Sequence, residues 1–262
     1  MKILLTNDDG YNAPGILTLY KMLQSYHQVI LVAPDREKSA VGHGITLNEP
    51  MRINTIHSNG ENRVYAIAGT PADCIKLGLS EFFTTPPDLV ISGINPGSNT
   101  GVNINYSGTV GAAREAALNG IPSMAVSIFN KGEKLDYNGV SRFVAKIADK
   151  IHDYRLPFGT FLNINVPGVP IDEVRGIKIT RQASNNVSKN FEKRTDPKNR
   201  DYFWYAQIEK PDDQPGTDVN ALSRNYISIT PIQCDTTDYR TLTELKTVYS
   251  LKKDAAHTWL YC

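Results

Sequence analysis

Cysteine is scarce in this sequence of 262 residues, and its placement excludes two kinds of stabilising site. The three cysteines, Cys74, Cys234 and Cys262, are widely spaced and form no C-x-x-C pair. An odd number of isolated cysteines argues against a disulfide framework and against structural zinc. We therefore expect reduced thiols, with Cys74 packed in the interior because it lies in an apolar helical pattern.

Long hydrophobic runs are also missing. No stretch approaches the ~20 continuous apolar residues that a membrane-spanning helix requires. The N-terminal residues reach Asp8 and Asp9 too early for the apolar region of a signal peptide. We therefore expect a cytoplasmic protein without a membrane partner.

Neither sign of charge is in excess, because 28 Lys and Arg residues face 27 Asp and Glu residues. The net charge of +1 gives no long-range attraction to nucleic acid or anionic lipid. The composition is that of an ordinary globular protein. A basic segment, 181–200, and scattered Tyr and Trp residues give only weak support to nucleic-acid binding, so we expect no stable nucleic-acid complex.

Short apolar runs alternate with helical patterns along the chain. We expect strands over 2–5, 29–33, 88–93, 123–128, 161–166 and 226–231, and helices over 14–23, 71–83, 109–119, 140–151 and 241–251. The runs 51–56 and 63–67 flank a turn and predict a β-hairpin at the sheet edge. The alternation predicts an α/β fold with a doubly wound, mostly parallel sheet.

The character of the sequence changes after residue 180. The segment 181–200 carries six basic and two acidic residues with no helix or strand period, so we expect a projecting loop or arm. We predict a catalytic domain over 1–180 and a smaller mixed extension over 181–262, with an oligomerisation arm and a returning strand and helix. An aromatic-rich extension of this kind either packs on its own domain or is exchanged with another subunit.

Polar residues follow the first three parallel strands, at the end of the sheet where ligands bind in this fold class. They are Asp8, Asp9, Asp35, Lys38, Ser39, Asn95, Ser98 and Asn99. Adjacent carboxylates repel each other unless a cation compensates, and oxygen ligands suit Mg²⁺ or Mn²⁺. The alternative is that Asp8 or Asp9 caps a helix. The oxygen-rich loops favour the metal, and the scattered histidines argue against zinc or copper.

A loop that turns into a helix, 105–115, combines small residues with hydroxyl groups. Free N–H groups at such a helix start suit a phosphate, with Ser107 and Thr109 as further donors. The alternative is structural: Gly108 makes the turn and a hydroxyl caps the helix. Beside a metal site we prefer phosphate binding. The loop 93–101 is longer and more polar than a simple connection needs, which suggests a function. The alternative interpretation is a passive, flexible loop.

A cation beside a phosphate site is what hydrolysis of a phosphomonoester requires, because the cation activates water and stabilises transition-state charge. The residues therefore predict a metal-dependent phosphatase. His43, between two glycines, is either a proton donor to the leaving group or an exposed loop histidine.

Seven motifs in fixed order cover nearly the whole chain. They are ILLTNDDGY (3–11), APDREKSA (33–40), GTPADC (69–74), DLVISGINPGSN (88–99), YSGTVGAARE (106–115), GTD (216–218) and YISITP (226–231). Through these motifs the chain resembles the SurE family of stationary-phase survival proteins, which are metal-dependent 5′/3′-nucleotidases.

The resemblance implies a Rossmann-like domain whose C-terminal extension is exchanged between subunits of a homodimer or homotetramer. It implies one divalent cation, Mg or Mn, held by Asp8, Asp9, Ser39 and Asn95. It also implies phosphate binding by Ser107, Gly108 and Thr109, with Asn99 nearby. The implied substrates are nucleoside 5′- and 3′-monophosphates, with some activity on short polyphosphate. Base preference and the choice of metal stay open.

The expected catalytic residues are Asp8 and Asn95, and Asp8 serves as a ligand that can also act as a base. A carboxylate nucleophile is disfavoured, since phosphatases that use one separate two acids by one residue. A nicotinamide-dependent oxidoreductase would need a G-x-G-x-x-G loop after the first strand, and this sequence lacks one there. A non-catalytic nucleotide sensor, which would share every site residue, is the remaining alternative.

Overall fold

Nine strands of the described residues form one sheet. They are β1 (Lys2–Thr6), β2 (Gln28–Pro34), β3 (Ile53–Asn59), β4 (Asn62–Ile67), β5 (Leu89–Pro96), β6 (Ser123–Ile128), β7 (Thr160–Val166), β8 (Ile177–Ile179) and β11 (Ile227–Gln233). A separate hairpin contains β9 (Phe191–Thr195) and β10 (Asp201–Tyr205). The structure is a computed structural model that describes residues 1–60, 62–129, 132, 134–154, 156–184, 191–205 and 214–250.

The strand order in the sheet is β3-β4-β2-β1-β5-β6-β7-β11-β8. Neighbouring strands are parallel except in the pairs β3–β4 and β7–β11. The predicted mostly parallel α/β sheet is therefore confirmed, with the predicted hairpin β3–β4 at its edge. Central strands such as β2 are buried on both faces, which explains why their sequences do not alternate between apolar and polar residues.

Helices cover both faces of the sheet. They are α1 (Pro14–Leu23), α2 (Pro71–Glu81), α3 (Gly108–Leu118), α4 (Tyr137–Tyr154) and α5 (Asp218–Ser223), and a further helix, α6 (Tyr239–Ser250), is largely exposed. Leu5 packs in one core cluster with α1 and α4, whereas its neighbour Leu4 packs in another with α2 and α3. Cys74 of α2 lies in the second cluster, as predicted. No helix in the described part of the chain is long and apolar enough to span a bilayer.

The start of α2 follows the sequence pattern closely. Thr70 accepts a hydrogen bond from the Asp73 N–H (3.1 Å), and Asp73 accepts one from the Thr70 N–H (2.8 Å). This reciprocal pair satisfies two N–H groups that the helix itself leaves unpaired. Asp73 also accepts from the backbone N–H and the hydroxyl of Thr46, so the same carboxylate anchors the loop that follows β2.

The prediction that the segment 181–200 lacks strand structure is wrong. It contains β9, which pairs with β10 in antiparallel register, and the rings of Phe191 and Tyr205 meet edge to face 5.6 Å apart. All side chains of both strands are exposed, so no apolar alternation marks them in the sequence. The short elements β8 and α5 were not predicted either.

Some expectations fall on residues outside the structure's description. These are Glu61 in the β3–β4 turn, 185–190 in the basic segment, and the tail from Leu251, including Cys262. The terminal helix begins at Tyr239, two residues before its expected start. The strand β11, which belongs to the proposed extension, pairs with β7 inside the main sheet. The boundary at residue 180 stays a prediction.

Candidate active site

The two aspartates expected to bind metal lie in the turn that follows β1. Asn7 shapes this turn, because its side-chain nitrogen donates to the Gly10 carbonyl (2.9 Å) and its side-chain oxygen accepts from the Gly10 N–H (3.2 Å). Gly10 has a φ of +104°, which favours glycine. Asp8 is buried, and Asp9 is partly exposed. The turn thus places both carboxylates at the end of a central strand.

Asp8 is in direct contact with the first turn of α3. The Thr109 hydroxyl donates a hydrogen bond to Asp8. A methyl group on Gly108 would lie 2.8 Å from the Asp8 Cβ and 3.1 Å from its Oδ2. Ser107 precedes the helix and accepts a hydrogen bond from the Val110 N–H (3.1 Å), which is the capping role that the sequence left open. The structure therefore brings Asp8 together with the predicted phosphate-binding segment.

Among the described residues, no positively charged group lowers the pKa of either carboxylate in this turn. Burial raises the pKa of Asp8, and the hydrogen bond from Thr109 opposes that shift. Burial also raises the pKa of Asp9 to about 7, and the negative charges of Asp8 and Glu37 add to the shift. The Asp9 Oδ2 is buried and has no hydrogen-bond partner in the part of the chain that the structure describes. A bound cation would offset both the burial and the repulsion, so these residues fit a divalent metal.

The loop after β2 lies against the same turn. The Lys38 N–H donates to the Asp8 carbonyl (2.7 Å), and the Gly42 N–H donates to the Tyr106 carbonyl (2.8 Å). A methyl on Gly111 would lie 2.4 Å from the Gly42 carbonyl oxygen, so the loop touches α3. Ser39 is exposed, and its hydroxyl donates to Glu37 (2.7 Å). The loop that carries Ser39 is thus adjacent to Asp8.

His43 of this loop is paired with a buried acid. Its Nε2 lies 2.8 Å from Glu115 of α3, which also receives hydrogen bonds from Lys76 (2.9 Å) and Asn119 (3.1 Å). The hydrogen bond with His43 is the largest of the effects that lower the pKa of Glu115 to about 2. The His43 side chain is only 25% exposed, so it anchors the loop to α3 and is not a free surface histidine.

Asn95 lies at the end of β5, next to β1. The register pairs Thr6 with Ser92 in parallel, so Asn95, near the C-terminal end of β5, lies at the same end of the sheet as Asp8. A register shift between Ser92 and Asn95 interrupts the pairing with β6, and a bulge of this kind re-aims the side chains that follow it. The Asn95 amide nitrogen donates to the Gly97 carbonyl (2.7 Å).

Asn99, expected near the phosphate, is held in the interior. Its amide nitrogen donates to Ser127 (2.8 Å), its N–H donates to the Asn165 side chain (2.8 Å), and its carbonyl accepts from Asn163 (2.7 Å). These bonds tie the loop to β6 and β7 and do not connect Asn99 with the other predicted site residues. Asn163 and Asn165 were not predicted, although two asparagines two residues apart in an apolar strand were a readable signal.

No cluster of three or more His, Cys, Asp or Glu side chains suited to a metal lies within the described residues. The predicted set is of another kind, since it has two carboxylates, Asp8 and Asp9. The hydroxyl of Ser39 and the amide of Asn95 would complete it.

Comparison with known proteins gives a consistent result. The family model for survival protein SurE matches residues 3–189. The 5′-nucleotidase SurE of Syntrophobacter fumaroxidans is 48% identical over 94% of this chain and 98% of its own length. The 5′-nucleotidase SurE of Desulfatibacillum aliphaticivorans is 46% identical over 94% of this chain and 97% of its own length. The crystal structure of SurE from Aquifex aeolicus superposes with a TM-score of 0.84 at 38% identity, covering 95% of this chain and 100% of that one. The resemblance carried by the motifs is confirmed, and the chain belongs to the SurE family.

Proposed function

We propose that this chain is a metal-dependent phosphomonoesterase that hydrolyses nucleoside 5′-monophosphates to nucleoside and phosphate. The observation that carries the proposal is the contact between the carboxylate pair after β1 and the first turn of α3. The name 5′-nucleotidase, which the similar proteins bear, supports the same activity. Nucleoside 3′-monophosphates and short polyphosphate are further proposed substrates. The sensor alternative is not favoured.

We assign one divalent cation, Mg or Mn, to Asp8, Asp9, Ser39 and Asn95. The assignment is supported by the Oδ2 of Asp9, which is buried and has no hydrogen-bond partner among the residues described. Such a cation, when bound, polarises a phosphoryl oxygen and lowers the pKa of a coordinated water. Asp8 and Asn95 are the proposed catalytic residues. Asp8 accepts the Thr109 hydrogen bond, which holds its carboxylate in one orientation beside the helix.

The phosphate site is assigned to Ser107, Gly108 and Thr109. The first N–H groups of α3 have no acceptor within the helix and carry its positive end, so they suit phosphate oxygens. The missing side chain of Gly108 leaves backbone N–H groups close to the Asp8 carboxylate. Asn99 supports the neighbouring loop from the interior through its bond with Ser127.

The extension 181–262 is the proposed oligomerisation element, in a homodimer or homotetramer. The hairpin β9–β10 and helix α6 expose large apolar side chains, which supports this assignment. They are Phe191, Tyr202, Phe203, Trp204, Tyr205, Tyr239, Leu245 and Val248. A cytoplasmic location also stays a prediction.

The test is phosphate release from a panel of nucleoside monophosphates with Mg²⁺, Mn²⁺ or EDTA. We expect metal-dependent release that falls about 100-fold or more in Asp9→Asn. Asp88→Asn is the matched control, because Asp88 lies at the opposite end of the sheet and accepts a hydrogen bond from the Lys2 N–H (2.7 Å). A folded wild-type chain that binds nucleotide without releasing phosphate would overturn the proposal in favour of the sensor.

A further inference from the structure

Asp218 is a fully buried carboxylate whose partners are backbone N–H groups. Its Oδ2 accepts from Gly101 (2.8 Å), and its Oδ1 accepts from Ala183 (2.9 Å) and Val219 (2.9 Å). Within the described residues it makes no ion pair. Val219 is the next residue in the chain, whereas Gly101 and Ala183 lie in two other segments, so this one side chain joins parts of the chain that are far apart in sequence.

A carboxylate suits this junction because both of its oxygens accept and neither donates. An asparagine has one acceptor and one donor group, so it would turn an N–H towards another N–H on one side. An apolar side chain would leave buried N–H groups unpaired. The position therefore requires Asp for its two-sided acceptor geometry.

The junction fixes the end of the loop that leaves β5. Gly101 closes this loop and begins the helical turn Gly101–Asn105, which leads directly into Ser107 and Gly108. Gln182 adds a second bond, because its side-chain nitrogen donates to the Gly101 carbonyl (2.9 Å). A methyl on Gly101 would lie 3.3 Å from the Ala183 carbonyl oxygen, so the two backbones are in close contact.

The other side of the junction is equally connected. The Asp218 N–H donates to the Arg181 carbonyl (3.0 Å), and the Arg181 N–H donates to the Gly216 carbonyl (2.9 Å). Residues 181–183 and the start of α5 therefore form one hydrogen-bonded unit. The loop 97–101 rests on this unit at Gly101 and on β6 and β7 at Asn99.

We propose that Asp218 is a positioning residue for the hydrolytic reaction: across 117 residues of sequence, it holds the loop between Asn95 and α3 in the geometry that the active site needs. The kinetic part of this inference rests on the proposed function. Displacement of Gly101 would shift both the residues that follow Asn95 and the turn that leads into the phosphate-binding segment.

The test compares Asp218→Asn with Thr217→Ala. Thr217 caps the same helix by accepting from the Asn220 N–H (3.2 Å), and its hydroxyl donates to the Gln214 carbonyl (3.0 Å) and not to Gly101. We expect Asp218→Asn to lower kcat at least about tenfold with KM within about threefold, and Thr217→Ala to keep kcat within about threefold. Hydrogen exchange over 97–105, followed by mass spectrometry, should accelerate in Asp218→Asn and not in Thr217→Ala.

Gln182→Ala is the second variant, and it keeps the proposal testable if Asp218→Asn does not fold. Gln182 is partly exposed, and we expect a smaller loss of kcat in the same direction. In the double variant Asp218→Asn/Gln182→Ala, the fold-loss in kcat should be smaller than the product of the two single fold-losses, because both hydrogen bonds hold Gly101.

Wild-type exchange over 97–105 in a folded Asp218→Asn, or a kcat equal to that of Thr217→Ala, would overturn the proposal. If Asp218→Asn is unfolded, the proposal would be overturned by a Gln182→Ala variant whose kcat and whose hydrogen exchange over 97–105 equal those of the wild type. A wild-type chain without hydrolytic activity would overturn the proposed function instead, and the exchange rates would still decide whether Asp218 holds the loop.

Discussion

Replacing Gly108 with alanine should damage the candidate active site while the fold survives. Gly108 is the first residue of α3, and its φ lies outside the left-handed region, so the backbone accepts alanine. The added methyl would lie 2.8 Å from the Asp8 Cβ and 3.2 Å from the Pro71 Cγ. The perturbation is therefore a single methyl group pressed against the proposed metal ligand.

The magnitude follows from two opposing effects. Alanine in place of a helical glycine ordinarily stabilises a protein by about 0.5–1 kcal/mol. The contact with Asp8 is shorter by about 1 Å than normal carbon–carbon contact, and such overpacking costs about 1–3 kcal/mol. The free energy of unfolding should thus fall by about 0–2.5 kcal/mol. Asp8 cannot retreat without straining its bond to Thr109, and a displacement of about 1 Å should lower kcat roughly 100-fold.

The assay is thermal unfolding together with steady-state phosphate release, with Gly78→Ala as the matched control. Gly78 is a buried helical glycine of α2, and a methyl there would meet the Leu4 side chain at 3.1 and 3.2 Å. That side chain can move, so kcat should stay within about twofold. A Gly108→Ala variant with wild-type kcat would refute the claim that the contact between Asp8 and α3 belongs to the active site.

Three further changes test other parts of the molecule. The pKa of Glu115 in the folded protein, about 2, lies below its ordinary value of 4.5, so the ionised carboxylate stabilises the fold above pH 4.5 and this contribution is lost as the pH falls towards 2. In urea unfolding, the free energy of unfolding of the wild type should be greater than that of Glu115→Gln by about 1–2 kcal/mol near pH 7, and the difference should be smaller near pH 4. An equal difference at the two pH values would contradict the reasoning. Thr70→Val removes the α2 cap and should cost about 1 kcal/mol in the same measurement, so an unchanged urea midpoint would count against that role. A fragment of residues 1–180 lacks β11 and leaves the edge of β7 unpaired, so it should aggregate in size-exclusion chromatography, whereas a folded monomer would support a domain boundary at 180.

The parallel core could be predicted from sequence because burial on both faces leaves a strong local signal. The apolar run 29–33 lies within β2 (Gln28–Pro34), and the Thr70–Asp73 pattern marks the start of α2. The candidate site could be predicted for a related reason. Residues that follow parallel strands share one end of the sheet, so Asp8 and Asn95 could be grouped from their places in the sequence alone.

The remainder depended on contacts that local sequence does not encode. The strand β9 is paired on one edge and exposed on both faces, so it has no apolar period. Asn99 has a polar side chain of the kind that binds phosphate or metal, but its hydrogen-bond partners Asn163 and Asn165 lie more than sixty residues away in the sequence. The role of Asp218 depends on Gly101, 117 residues earlier, and no spacing rule connects the two.

The position of β11 between β7 and β8 imposes an order on biosynthesis. As the chain leaves the ribosome, β1 to β7 can pair among themselves, but β11, the partner of β8 in the sheet, is made later. Domains commonly begin to fold from their N-terminal part during translation. Asp218 emerges just before β11, so a nascent chain carries Asp8 and Asp9 long before Asp218 can anchor the Gly101 end of the loop that follows Asn95. Activity should therefore appear only after β11 has been released.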